Sequence, residues 1–302
     1  MGMGEEIARN VGPGGIEVAY ERFGDPADPP VLLIMGGGGQ MINWPEGFCA
    51  ELVDRGLQVI RFDNRDAGRS SHFPDAPVPD IQAAMAGDVS SASYTLSDMA
   101  ADAVGLLDAL GLDSAHLVGL SLGGMIAQTI AIEHPGRVLS LTSMSSTTGD
   151  PAVGRPDFAA IGPLGAQPED RQGYVEWQVR VLRAVGSPAF AFDEAAVAAR
   201  ARQAYDRGLD PLGLMRQSVA VLASGDRTAR LRRLRVPALV IHGTADLMID
   251  VSGGRATAAA IPGAKLVIIE GLGHSLPREL WPEFAAHIAD LVDVTETTTS
   301  TT

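Results

Sequence analysis

Three residues of this sequence have the types and the order of a charge-relayed nucleophile: Ser121, Asp246 and His274. Ser121 is the centre of Gly119-Leu120-Ser121-Leu122-Gly123, which follows the apolar run HLVGL and opens the helical pattern LGGMIAQTIAIEH. G-x-S-x-G at a strand-to-helix turn lifts a serine hydroxyl clear of the backbone, because the small flanking residues permit a sharp turn. The competing interpretation is a glycine-rich turn in which the serine is incidental. A serine hydroxyl is a weak nucleophile until a base takes its proton, and the base needs an acid to orient it. At a turn of this kind the acid and then the histidine come later in the chain.

Asp246 lies three residues beyond Gly243, in the turn after the strand-like PALVIHG. Asp250 is a nearby rival, but it stands beside a helix start at Val251, a position that suits capping. His274, in Gly271-Leu272-Gly273-His274, directly follows the strand-like AKLVIIE. The remaining histidines have structural readings: His134 at a helix C-terminus, His116 starting a strand, His242 ending one, His287 in the last helix and His72 in a loop. The tetrahedral intermediate of acyl transfer also needs donors for its oxyanion. The amide of Leu122, next after the nucleophile, is one. The other is Gly37, in Met35-Gly36-Gly37-Gly38-Gly39, where bare backbone lets a substrate approach. That run could instead cradle a phosphate, but it lacks the Lys-Ser/Thr of a P-loop and a full GxGxxG.

These positions need strands that end at one edge. VLLIM at 31–35, LQVIRF at 57–62, AHLVGL at 115–120, RVLSLTSM at 137–144, PALVIHG at 237–243 and AKLVIIE at 264–270 are near-continuous apolar runs alternating with helical patterns such as Ser97 to Leu110, Leu122 to Glu133 and Pro282 to Val292. That rhythm predicts an α/β protein whose mostly parallel sheet is flanked by helices on both faces. Ser121, Asp246, His274 and Gly37 then gather at the carboxyl edge of the sheet, where sites of such folds form. The cluster Asp63-Asn64-Arg65-Asp66-Ala67-Gly68-Arg69-Ser70 belongs at the same edge, and its acids and arginines are expected to tie down backbone groups in a buried turn.

Between Gly149 and Arg233 the strand rhythm stops and helical segments such as Tyr174 to Val185 and Glu194 to Arg207 replace it. The charge changes with it: residues 150–233 hold 12 arginines and 10 acids, within a chain of net charge −14. The expected division is a core over 1–148, an inserted helical cap over 149–233, a second part of the core over 234–294 and a disordered tail over 295–302. The cap is expected to roof the site. Asn43, Trp44 and Trp177 are its predicted pocket residues, with Phe158, Phe190, Phe192 and Tyr205 as further apolar candidates.

The acidic balance excludes a nucleic-acid partner, since phosphate binding needs a basic footprint. A single cysteine, Cys49, permits no intramolecular disulfide and no cysteine-based metal site, and it reads as a small buried hydrophobe. No cofactor or metal is called for by any motif. No apolar run approaches the roughly 20 residues of a membrane span, and no basic region leads into an apolar stretch at the start. A cytoplasmic protein acting on small molecules is the expectation, with no membrane partner.

Five stretches, LLIMGGGGQMINWP, VIRFDNRDAGRS, HLVGLSLGGMIAQ, LVIHGTAD and GLGHSLP, together resemble the α/β-hydrolase superfamily, and within it the aclacinomycin methylesterase-like carboxylesterases. The resemblance spans the sheet-forming portions and weakens across 150–233. It implies an α/β-hydrolase fold and an esterase with Ser121 as nucleophile, Asp246 as acid, His274 as base and the Gly37 and Leu122 amides as oxyanion hole. Met35 stands where His commonly precedes the glycine in the wider superfamily. The cap differs enough that substrate identity does not carry over from the resemblance; the enclosed pocket expected beneath it suits a short-acyl or methyl ester of an apolar small molecule. Dehalogenases and epoxide hydrolases of the superfamily carry Asp at the elbow, unlike Ser121. Carbon–carbon bond hydrolases and cofactor-free perhydrolases keep the serine triad and stay open, as does a catalytically idle small-molecule binder.

Overall fold

The inner strands are apolar at consecutive positions because both faces of the sheet are covered. In the computed structural model, which describes residues 4–299, the strands are β1 (Glu6–Val11), β2 (Ile16–Phe23), β3 (Pro30–Ile34), β4 (Gln58–Phe62), β5 (Ala115–Leu120), β6 (Val138–Met144), β7 (Ala238–Gly243) and β8 (Lys265–Ile269). They form one sheet in the order β1-β2-β4-β3-β5-β6-β7-β8. β1 pairs antiparallel with β2 and β2 with β4; every later pairing is parallel. Along β3, Leu32 and Ile34 enter one core while Val31 and Leu33 enter the other, and all four are fully buried. Each such side chain contributes roughly 1.5–3 kcal/mol of burial.

The helices are α1 (Glu46–Val53), α2 (Ile81–Met85), α3 (Leu96–Ala109), α4 (Leu122–Glu133), α5 (Phe158–Ile161), α6 (Arg171–Val185), α7 (Glu194–Arg207), α8 (Pro211–Ser224), α9 (Thr228–Leu231), α10 (Ser252–Ala260) and α11 (Trp281–Thr299). Phe48, Cys49 and Leu52 of α1 and Phe284, Ile288 and Val292 of α11 fill the core on one face. Helices α3 and α4 supply Leu106, Leu107, Ile126 and Ile130 to the other. Cys49 is fully buried, and desolvation pushes its thiol up to about 12, so it is no nucleophile.

The strand order reverses around β3: the chain leaves it for β4 on one side and returns to β5 on the other. A crevice at the carboxyl ends of β3 and β5 follows from that switch, because the connecting loops diverge there. From β6 to β7 the chain forms helices α5 to α9 and turns only. Two parts of the sequence reading need correction. The hairpin β1–β2 was not among the expected strands; a bulge between Ala8 and Val11, with Asn10 at φ 54°, breaks its alternation. The expected disordered tail is helical from 295 to 299, as the end of α11, with Thr295 buried and its hydroxyl donating to the Leu291 carbonyl at 2.7 Å. Glu296 meets the buried His116 at 3.2 Å, which anchors this last turn to β5. Residues 300–302 of that tail lie outside the described residues.

Candidate active site

Ser121 occupies the turn between β5 and α4 with φ 57° and ψ −120°, a conformation L-residues rarely adopt. Its N–H continues the β5–β6 ladder by donating to the Met144 carbonyl at 2.9 Å, and its own carbonyl accepts from Gly124 at 2.9 Å to start the helix. Ser146 Oγ donates to the same carbonyl at 2.8 Å. The turn can be this tight because Gly123 has no side chain: a Cβ there would collide with the Ile34 carbonyl oxygen. Hydrogen bonds on both sides hold Ser121 in this strained conformation.

Asp246 and His274 come together. His274 Nδ1 lies 2.8 Å from Asp246 Oδ2. A carboxylate only accepts, so Nδ1 carries the hydrogen and Nε2 keeps its lone pair. The other oxygen, Oδ1, accepts the N–H groups of Met248 and Ile249, both at 2.9 Å, which locks the carboxyl group. Asp246 is buried and His274 half-buried. Asp250 is exposed, and its Oδ1 accepts the Ser252 N–H at 2.9 Å, as a residue capping the start of α10 would. Ser121 Oγ makes no hydrogen bond among the described residues, to His274 or any other group.

His242, fully buried at the end of β7, sits behind Asp246: its Nε2 donates to the Ile249 carbonyl at 2.8 Å and lies 3.5 Å from Asp246 Oδ2. Burial holds its ring below the ordinary histidine pKa, so it stays neutral beside the carboxylate. Its Nδ1 has no partner among the described residues.

The Gly36–Gly39 run lies against the serine. A Cβ placed on Gly36 would stand 3.1 Å from Ser121 Cβ and 3.7 Å from its Oγ. Gly39 N–H closes a turn onto the Gly36 carbonyl at 3.1 Å, while the exposed Gly37 keeps its N–H free of backbone acceptors. Leu122 is the first residue of α4, so its N–H has no intrahelical acceptor. Leu122 follows Ser121 directly, and a Cβ on Gly37 would stand 3.7 Å from Leu122 Cδ2.

The predicted pocket residues are placed differently. Trp44 is 0% exposed and stacks on Phe48 at 5.4 Å within the core under the sheet. Asn43 closes a 3-10 turn by accepting the Gln40 N–H at 2.9 Å. Trp177 packs beside Tyr174 and donates to the carbonyls of Leu164 and Gly165, inside the helical segment. Tyr205 also packs on Tyr174, Phe192 lies under Arg183, Phe190 joins the core below the sheet and Phe158 is exposed. An aromatic side chain suits a core as well as a pocket, and here packing within the helices and the core uses all of them except the exposed Phe158. Leu214 does reach the site: its Cδ1 lies 3.4 Å from where a Gly37 Cβ would be.

Clefts among the described residues include one of about 380 Å³ and one of about 400 Å³. The first includes Asp246, Arg155 and Asp250, the second Glu5, Arg69 and Arg207, and neither is lined by Ser121 or His274. Asp66, His72 and Asp210 bring ligand atoms within 4.8 Å of one another, and Arg216 pairs with both carboxylates, offsetting one of their two charges.

Residues absent from the sequence reading hold the site from the helical segment. His274 N–H donates to the Val185 carbonyl at 2.7 Å, at the end of α6, and Gly273 N–H donates to Ser187 Oγ at 3.0 Å. Gln217 of α8 accepts the Gly38 N–H at 2.8 Å. Its signal in the sequence is a polar residue on a buried helix face, since Gly213, Arg216, Gln217 and Ala220 are the inward positions of α8. The turn after β4 does tie down backbone, with Asp63 accepting from Met41 and Arg69, and it also receives Arg207 of α7 and Arg216 of α8.

Comparison with known proteins agrees with this geometry. Rhodomycin D methylesterase of Streptomyces peucetius is 33% identical over 292 residues, covering 89% of this chain and 92% of that one. The enol-lactonase of Burkholderia xenovorans LB400 superposes with a TM-score of 0.71 at 25% identity, over 95% of this chain and all (100%) of that one. A meta-cleavage product hydrolase from Pseudomonas fluorescens IP01 shares the fold, with a TM-score of 0.71 at 21% identity over 95% of this chain and 98% of its own. The family described as alpha/beta hydrolase fold matches residues 29–277. On that match and the sheet that carries it, the chain belongs to the α/β-hydrolase fold family.

Proposed function

We propose that this protein is a carboxylic ester hydrolase that works through an acyl-enzyme on Ser121. The observation that carries the reading is the locked Asp246–His274 pair, whose Nε2 keeps its lone pair, at the edge of the sheet where a strained serine turn also lies. Nε2 takes the Ser121 proton as Oγ attacks the ester carbonyl, and the tetrahedral oxyanion accepts the N–H groups of Gly37 and Leu122. Imidazolium then returns the proton to the leaving alcohol, and the ester C–O bond breaks. Water, deprotonated by the same nitrogen, hydrolyses the acyl-enzyme and frees Ser121. Asp246 favours the imidazolium and fixes the tautomer throughout.

The substrate we propose is a methyl or short-acyl ester of an apolar small molecule. The relatedness to a methylesterase supports this, as do the apolar side chains of Leu122 and Leu214 flanking Gly37. Residues 149–233 act as a cap, with α8 above the glycine-rich loop.

The test is labelling with a fluorophosphonate, followed by peptide mapping and hydrolysis of rhodomycin D, for which the related methylesterase is named, and of p-nitrophenyl esters of two to about sixteen carbons. Wild-type protein should be labelled on the Ser121 peptide and prefer short acyl groups, and Ser121→Ala should lose labelling and turnover with an unchanged Tm. Labelling elsewhere, or turnover by the folded alanine variant, would overturn the reading.

A further inference from the structure

The glycine-rich loop is a conformational problem as well as a site. Gly36 to Gly39 form a turn closed by the Gly39 N–H to Gly36 carbonyl bond at 3.1 Å, with Gly37 and Gly38 at its centre. Gly38 has φ 65°, as the third residue of a type II turn requires. With glycine at both central positions, the peptide between them can flip to the type I arrangement at little cost, and backbone preference does not choose.

Gln217 chooses. It is 1% exposed, and its side-chain amide bridges two loops: Oε1 accepts the Gly38 N–H at 2.8 Å and Nε2 donates to the Arg65 carbonyl at 2.8 Å. The oxygen only accepts and the nitrogen only donates, so this orientation is the one that satisfies both. Arg65 is a fixed point, because its guanidinium pairs with Asp102 at 2.6 and 2.8 Å and lies over Tyr94. On the other side of the loop, Asn64 Nδ2 donates to the Met35 carbonyl at 3.0 Å. A flipped central peptide would turn the Gly37 carbonyl toward Gln217 Oε1, acceptor against acceptor.

We infer that Gln217 is a positioning residue for the oxyanion hole: from α8 it fixes the Gly37–Gly38 peptide, and so seats the Gly37 backbone, whose N–H lies in the preceding peptide, against Leu122. The inference rests on the proposed role of Gly37 as an oxyanion donor. Gln217 touches no reacting atom; it acts through the loop.

The test uses the full chain with two variants. Gln217→Met keeps the length and volume without either hydrogen bond, and Gln217→Glu keeps an acceptor for the Gly38 N–H. Turnover of a p-nitrophenyl ester is divided by the sites titrated with fluorophosphonate, so unfolded protein does not count, and inhibition by a trifluoromethyl ketone, whose hemiketal oxyanion occupies the same hole, is measured alongside. Gln217→Met should lower kcat about 10- to 100-fold, less than the 10²–10³ lost when an oxyanion donor is removed outright, with KM within about two-fold. Its trifluoromethyl ketone affinity should fall by the same factor, and Gln217→Glu should recover most of the loss. An unchanged kcat per titrated site, a change confined to KM, or equal kcat in the two variants would overturn the inference. Absence of labelling at Ser121 in the wild-type protein would overturn the serine reading, and this inference with it.

Discussion

Replacing Asp246 by Asn exposes the link between hydrogen-bond geometry and rate. The carboxylate has two distinct duties: Oδ1 accepts the Met248 and Ile249 N–H groups at 2.9 Å, and Oδ2 faces His274 Nδ1 at 2.8 Å. Asparagine offers only one acceptor oxygen. If that oxygen stays with the two backbone donors, the NH₂ group faces His274. Nδ1 must then accept, the ring hydrogen moves to Nε2, and the nitrogen turned toward substrate can no longer take a proton. If the amide flips, the tautomer is preserved but two backbone N–H groups face an NH₂.

Leaving those two buried donors unpaired costs about 1–3 kcal/mol each, or about 4 kcal/mol together, so the competent tautomer is populated about 10⁻³ of the time. Loss of the charge that stabilises imidazolium adds to this, and the corresponding substitution in a serine protease lowers kcat about 10⁴-fold. The expected kcat for Asp246→Asn is therefore about 10³- to 10⁴-fold below wild type, measured with p-nitrophenyl acetate on protein whose circular dichroism is unchanged. Asp250→Asn should stay within about two-fold, since Asp250 is exposed and engaged with the Ser252 N–H. Activity of Asp246→Asn within ten-fold of wild type, or a crippled Asp250→Asn, would refute the assignment.

Two further outcomes concern stability. Arg216→Ala should cost about 3–5 kcal/mol in urea denaturation, because it strips the partner from Asp66, whose side chain is 0% exposed; a loss below about 1 kcal/mol would contradict a tight buried pair. His242 should make the fold acid-sensitive. Its native pKa is depressed, so below the ordinary value of 6.5 the unfolded chain binds a proton that the native ring does not, and stability falls with pH; His242→Gln should flatten that part of the Tm-against-pH curve, and an unchanged slope would rule His242 out as its source.

What the sequence disclosed follows from how strongly each feature is constrained. Leu32, Leu33 and Ile34 must all be apolar because the sheet is covered on both faces, so the inner strands read as continuous runs. Ser121, Asp246 and His274 were legible because a strand-to-helix turn and two strand ends fix where they must lie. Edge elements were harder. β1 exposes Glu6, Arg9 and Asn10 in part and carries a bulge, so it has neither a continuous run nor a regular alternation. The threonines after Asp293 look like a polar tail, yet α11 continues to Thr299, with Thr295 bonding back to the helix and Glu296 reaching a histidine that is distant in sequence. Trp44 shows a different limit: next to a glycine-rich loop it suggests a pocket wall, but the chain turns inward at Met41–Asn43 and places the indole on Phe48. Residue type could not separate these outcomes, since both bury an aromatic ring.

The helical segment between β6 and β7 does more than cover the sheet. The end of α6 accepts the His274 N–H, Ser187 accepts the Gly273 N–H and Gln217 accepts the Gly38 N–H, so the histidine loop and the glycine-rich loop are both fastened from it. The same segment is fastened in turn by Arg207 and Arg216 to Asp63 and Asp66, in the turn that follows β4. Those are buried ion pairs, strong only while both partners stay in place. Displacement of α7 or α8 would therefore loosen the platform and the glycine-rich loop together, without touching Ser121, which is held by Met144, Gly124 and Ser146 of the sheet side. Ser121 is thus held by the sheet side, while the loops of His274 and Gly38 are held from the helical segment. A substitution that alters how α8 seats on Asp66 should thus act on kcat through the glycine-rich loop, whereas one that alters Leu214 acts on whatever lies against Gly37.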